Sequence, residues 1–244
     1  MVAKYEIINS ANIFREDSGL GVKNPINIRS LLLKLKVLAV FKPLKSTMSG
    51  MAIKVEDRRF MLINTSKTVG HQRFTTIHEL YHLCIQKDFR HMVCTPESPN
   101  SRGIEKKADL FASHVLIPDA GLLEFISNRK LAKNQISIGT LLEIEQYYMC
   151  SRKALLNRLK NMGLIDGEHY EKFSTNVIKN AIWHGLDKYL YCPNNKKDII
   201  GDYGILSKTL YDKGFISESH YAFLMGDIGI DIDVGSVDGD QQQG

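Results

Sequence analysis

The chain has 244 residues, 43% hydrophobic and 24% charged, which suits one large soluble domain or two small ones. This balance excludes a mostly disordered chain, a collagen and a coiled coil. The net charge of +5 is unevenly spread: residues 227–244 hold Asp227, Asp231, Asp233, Asp238 and Asp240 and no Lys or Arg, so the rest, with 32 basic against 22 acidic residues, carries +10.

A body this basic suits nucleic acid, an acidic partner or simply a solvated surface, and charge alone favours the last. The most apolar stretch, Leu31 to Phe41, is interrupted by Lys34 and Lys36 and is too short to span a bilayer. Lys4 and Glu6 stand where a signal peptide would need an apolar core. Cys84, Cys94, Cys150 and Cys192 are widely spaced and form no CxxC, which fits free thiols in a reducing cytoplasm.

Residues 1–24 are mixed and polar and suggest no element. Asn27 is a candidate cap for a helix from Ile28 to about Lys36. Val37 to Phe41 reads as a buried strand. Met51–Val55 and Phe60–Ile63 read as a hairpin with a four-residue polar loop, Glu56 to Arg59. A polar loop from Asn64 to Arg73 leads into a helix from about Phe74 to Gln86, with Phe74, Ile77, Tyr81 and Ile85 three or four apart and Thr75 or Thr76 near its start. After a loop with Pro96 and Pro99, a helix from about Ile104 to Leu116 carries the stripe Ile104, Ala108, Phe111, Ala112 and Val115, and stops before Pro118. From Ser137, one helix through Leu141, Leu142, Ile144 and Tyr147 precedes a second from Arg152 to about Met162, capped by Ser151 and ended by Gly163. That pair resembles a helix-turn-helix. Beyond Asp166 the pattern suggests further short helices and, from Asp233, a frayed acidic end.

The chemistry-bearing motif is His78-Glu79-Leu80-Tyr81-His82, an HExxH. On a helix, residues i and i+4 share a face, so both imidazoles can hold one zinc ion. Glu79 lies about 100° round the helix, beside the metal and able to take a proton from the attacking water. A catalytic zinc needs a third protein ligand. The next helix offers Glu105 as that ligand and, one turn on, Asp109 as hydrogen-bond acceptor for the far nitrogen of a ligating histidine. The alternative is that these are packed or solvated residues, but five polar residues fall at the needed spacings on two consecutive helices.

The blocks Arg73-Phe-Thr-Thr-Ile-His-Glu-Leu-Tyr-His-Leu83 and Glu105-Lys-Lys-Ala-Asp-Leu-Phe-Ala-Ser-His-Val-Leu-Ile-Pro118 resemble the ImmA/IrrE family of metallopeptidases. The likeness covers residues 25–125 and extends more weakly through 138–165. It implies a minimal zincin-like α+β fold with zinc ligands His78, His82 and Glu105, the base Glu79, and action on a helix-turn-helix repressor. Tyr81 stands where the family often has Gly. The organisation expected is a zincin-like metallopeptidase domain over 1–125, a helix-turn-helix-like region over 126–165 and a mainly helical region over 166–244.

No oxyanion donor stands out; His71, His91, His114 and Tyr147 are candidates by type only. Either hairpin strand could offer an edge to an extended substrate. Cys84 should point away from the zinc face, and Cys94 lies in the loop between the two helices. Arg152, Lys153, Arg158 and Lys160 form a basic helix that could meet DNA or protein, or stay solvated, with direct DNA binding a minor option. Trp183, Tyr189 and Tyr191 read as core or interface.

The leading function is a cytoplasmic zinc endopeptidase acting on a helix-turn-helix repressor. The alternatives are a non-enzymatic zinc-binding regulator and a toxin–antitoxin partner. The oligomeric state is left open.

Overall fold

A computed structural model of the chain describes residues 2–87, 89, 91–92, 101–126 and 132–232, with the backbone alone at 2, 3, 91, 92, 101 and 102. The fold is α+β. Its sheet has five strands in the order β4-β2-β3-β1-β5. These are β1 (Val37–Lys42), β2 (Gly50–Val55), β3 (Arg58–Asn64), β4 (His91–Met92) and β5 (Asp198–Ile200). β1 and β3 run parallel, with Val37 opposite Arg59 and Lys42 opposite Asn64. The other pairings are antiparallel.

The strands form where β-branched and apolar residues alternate, so that Val37 and Ala39 in β1 and Met61 and Ile63 in β3 are fully buried. The β2–β3 turn is shorter than the four-residue loop expected. Only Glu56 and Asp57 lie outside the strands, with Glu56 at φ 51°.

The helices stack on this sheet. α1 spans Val2–Asp17, α2 Ile28–Lys34, α3 Val69–Cys84, α4 Ser101–Leu116 and α5 Asp119–Phe125. α6 is Ile138–Tyr148, α7 Arg152–Asn161, α8 Gly167–Ser174 and α9 Val177–Trp183. A 3-10 turn at Tyr189–Tyr191 precedes β5, and α10 (Tyr203–Asp212) and α11 (Glu218–Asp227) follow it. α3 packs on β2 and β3, α4 packs on α3, and α1 packs on α4. Asn27 caps α2 by accepting from Ser30 N at 3.0 Å, and Ser137 and Ser151 cap α6 and α7 in the same way.

Several elements differ from the sequence expectation. α1 occupies a stretch expected to hold no element. It buries Ile7, Ala11 and Phe14, one face at helical spacing, and the polar residues between them dilute that pattern. Its Arg15 is 1% exposed and donates to the carbonyls of Gly21, Asn24 and, at the far end of α4, Val115.

α3 starts five residues before Phe74, capped by Thr68. Thr75 and Thr76 are therefore buried in mid-helix rather than near its start. Gly70 and the polar Gln72 disguise that first turn. α5 and β5 were also unforeseen. β5 is three residues long, flanked by charges, and takes its place only by pairing with β1.

One hydrophobic cluster runs from Ile7 in α1 to Ile200 in β5. A smaller one joins Val69, Leu142, Ala181, Leu190 and Tyr191. The basic character expected of α7 is mostly turned inward. Arg152 forms a buried ion pair with Glu145, which also accepts from Tyr191 Oη at 2.8 Å. Arg158 is buried against Asp119 and His114. Only Lys153 and Lys160 of the four cations are exposed, so the broad cationic face needed in a DNA groove is missing. Tyr191 is core, whereas Trp183 is 76% exposed beneath Lys179 Nζ.

Cys84, Cys150 and Cys192 are free thiols, as expected, and burial pushes the Cys84 and Cys150 thiols up. Cys94, the Pro96–Pro99 loop and the acidic end from Asp233 lie outside the described residues. No helix among the described residues is long and apolar enough to cross a membrane.

The α6–α7 turn sits directly on α3 because Gly70 has no side chain. A Cβ there would lie 2.9 Å from Ser151 N and 3.0 Å from Ser151 Cα, both backbone atoms. Gly70→Ala should therefore destabilise the protein by about 1–3 kcal/mol despite its better helix propensity. Urea unfolding tests this, and an unchanged or raised midpoint would contradict the contact.

Candidate metal centre

α3 and α4 bring His78, His82 and Glu105 together, with one ligand atom from each all within 4.8 Å of one another. His78 Nε2 lies 3.3 Å from His82 Nε2 and 3.0 Å from Glu105 Oε2, and His82 Nε2 lies 3.7 Å from Glu105 Oε1. A tetrahedral zinc with bonds of about 2.0–2.1 Å sets its ligand atoms about 3.3–3.4 Å apart, so the spacing fits.

The outward nitrogens are held as well. Asp109 Oδ1 accepts from His78 Nδ1 at 2.9 Å. Asp109 favours the neutral ring tautomer protonated at Nδ1, which leaves Nε2, turned toward His82 and Glu105, to offer a lone pair to a cation. His82 Nδ1 meets Gln86 Oε1 at 2.6 Å, which turns its Nε2 inward too. Two lone pairs and a carboxylate converging on one point is an arrangement that a divalent cation relieves.

The sequence reading missed Gln86, which lies four residues after His82. That i,i+4 spacing was the available signal.

The protein environment sets the charge states. His82 is fully buried, and burial holds its imidazole below the ordinary 6.5, partly offset by Gln86. Contact with the His78 ring holds the Glu105 carboxyl below its usual range, with burial opposing. Phe89 stacks on the His82 ring at 5.5 Å, and Tyr81 meets it edge-on at 5.6 Å. Tyr81 also packs on Phe111, so the residue that departs from the family pattern fills the space between α3 and α4 and lies against the His82 ring of the cluster.

Glu79 is 1% exposed and lines a cavity of about 300 Å³ together with His78, Glu105, Asp109, His71 and Ser49. Its wall on the sheet side is Gly50, where a Cβ would lie 2.6 Å from Thr75 Cγ2 and 3.2 Å from Glu79 Oε1. The glycine lets β2 approach the helix closely.

The other candidates separate. His71 lies in this cavity, with Nε2 2.8 Å from Ser49 Oγ. His114 is buried 2.8 Å from Arg158 Nη1, within the ion-pair network of α7. Tyr147 lines a different cavity on the opposite face of α3, and of His91 only the backbone is described. Of the two hairpin strands, β3 is internal, between β2 and β1. Among the described residues, β4 pairs with β2 at Ala52 and Ile53. The end of β2 next to the cavity is the Gly50 end.

Two histidines and a glutamate from consecutive helices, with a buried carboxylate beside them, make the donor set of a metal-dependent peptidase. Residues 33–160, just over half the chain, match the peptidase family M78 model described as the IrrE N-terminal-like domain, and the chain belongs to that ImmA/IrrE family of metallopeptidases. No curated protein matches the chain.

The buried imidazoles make stability pH-dependent. Burial lowers His71, His82 and His114 below their ordinary value of 6.5. Between that value and the lower folded one, the unfolded chain binds protons that the folded chain refuses, so stability falls as pH drops below about 6.5. The melting temperature of metal-free protein should thus decline from pH 7.5 to 5.5. A flat or rising profile would contradict neutral burial of these rings.

Proposed function

We propose that the protein is a zinc-dependent endopeptidase that cleaves, and so inactivates, a helix-turn-helix transcriptional repressor. The observation that carries the peptidase reading is the convergence of His78, His82 and Glu105 beside the buried Glu79. His78, His82 and Glu105 would hold the ion, and zinc bound there supplies Lewis acidity and lowers the pKa of water.

Glu79 accepts a proton from the attacking water and passes it to the leaving amine nitrogen. Asp109 and Gln86 orient the two imidazoles. His71 is the best-placed donor for the developing oxyanion, since it lines the same cavity and Ser49 anchors its ring. The Gly50 end of β2 is the edge along which an extended substrate would lie.

A repressor as the substrate is what the resemblance to the ImmA/IrrE family implies, and the basic body suits a protein met at DNA. In this reading residues 1–125 carry the catalysis, 126–165 brace it and 166–244 select the partner. The free thiols and the nature of the substrate favour the cytoplasm.

The deciding experiment is incubation with a helix-turn-helix repressor encoded beside this chain, with and without chelator. Cleavage should require metal. Glu79→Gln should retain the metal and lose about 100-fold or more in rate; an undiminished rate would refute the base. Asp109→Ala changes a side chain that is 59% exposed, so the fold should survive while metal affinity drops about 10–100-fold by competition titration. Unaltered affinity would remove Asp109 from the site.

A further inference from the structure

A second face of α3 lines a cavity of its own. Val69, Gln72, Arg73 and Thr76, spaced i, i+3, i+4 and i+7, lie opposite the HExxH residues and line a cavity of about 790 Å³. The N-terminal end of α2, the end of α6, the 3-10 turn and the segment before β5 complete its walls. Its size is that of a small-molecule site, and nothing in the peptidase reading uses it.

The polar groups of this cavity are unbalanced. Arg73 donates through Nη2 to the Ile26 carbonyl at 2.7 Å, and its Nε is buried without a hydrogen-bond partner. No described carboxylate pairs with it. Asp198, the acid in the cavity wall, is already held by Arg29 Nη2 at 2.8 and 3.0 Å. Lys196 and Lys197 stand exposed in the same wall and form no ion pair among the described residues. Thr65 Oγ1, also in the wall, is a second buried polar atom with no partner.

A guanidinium set partly inside a protein without a counter-ion is costly. A planar guanidinium also suits a carboxylate or phosphate, which it can grip with two parallel hydrogen bonds. The rest of the wall is apolar and aromatic, with Phe41, Ile200 and the half-exposed rings of Tyr147 and Tyr189. Such a wall suits a ring or hydrocarbon body rather than a bare ion.

We propose that this cavity is a binding site for a small organic anion, with its phosphate or carboxylate against Arg73 and the two lysines and its apolar body against Tyr147 and Tyr189. The site is separate from the metal centre, on the other side of α3.

Isothermal titration of the full chain tests it, with adenosine monophosphate, inorganic phosphate and benzoate as probes and sodium chloride at matched ionic strength as blank. At least one organic probe should bind saturably. Adenosine monophosphate would assign the head group as phosphate, and benzoate as carboxylate. Arg73→Gln should weaken the binding by about tenfold or more. Lys196→Ala/Lys197→Ala changes exposed side chains and should weaken it too, which keeps the test valid if the Arg73 variant fails to fold. Metal-stripped protein should bind equally well. Binding of inorganic phosphate alone, absence of saturable binding by every probe, binding that both variants leave intact, or binding lost with the metal would each overturn the proposal.

Discussion

The structure is organised around the burial of polar side chains on α3. His82 is fully buried and Glu79 is 1% exposed, in the middle of a helix whose neighbours are Ile77, Leu80 and Leu83. Such groups are tolerated only when each polar atom is directed at something. For the two histidines, Glu105 and Asp109 from α4, and Gln86 from just beyond α3, supply that direction. The apolar stripe of α4 holds the two helices at the separation that this requires.

The helical pair after residue 137 illustrates how similar sequence patterns serve different ends. A short helix, a turn and a basic helix are the outline of a DNA reader. Here Glu145 and Asp119 draw Arg152 and Arg158 into the interior, and the left-handed Met149 with Cys150 closes the turn against Gly70 of α3. The motif acts as a brace for the metal helix, and its charges are spent on cohesion between α5, α6 and α7.

The metal cluster was legible because a local spacing rule, i and i+4 on a helix, specifies it twice. The Asn27, Ser137 and Ser151 caps and strands β1 to β3 were legible for the same reason: their determinants lie within a few residues. What escaped depends on partners far along the chain. Among its described side chains α1 buries three apolar ones, and it becomes a helix because α4 covers them. β5 needs β1 to be a strand at all. The inward turn of Arg152 and Arg158 follows from acids at 145 and 119, which no local pattern links to them. His71 stands apart from His114 because α3 begins at Val69 and carries His71 into the cavity, a start that Gly70 and Gln72 conceal in the sequence.

Arg15 has a consequence for where the working unit ends. It is a buried cation whose described hydrogen bonds all go to carbonyls, among them Val115 at the end of the helix that carries Glu105. The carbonyl end of a helix bears partial negative charge, so this contact satisfies the guanidinium and anchors α4 together. The match to the family model begins at residue 33, after α1 has already ended. The segment that defines kinship is therefore smaller than the segment that must fold. Changes near the N-terminus, far from any ligand in sequence, would be felt at the metal through the alignment of a single helix.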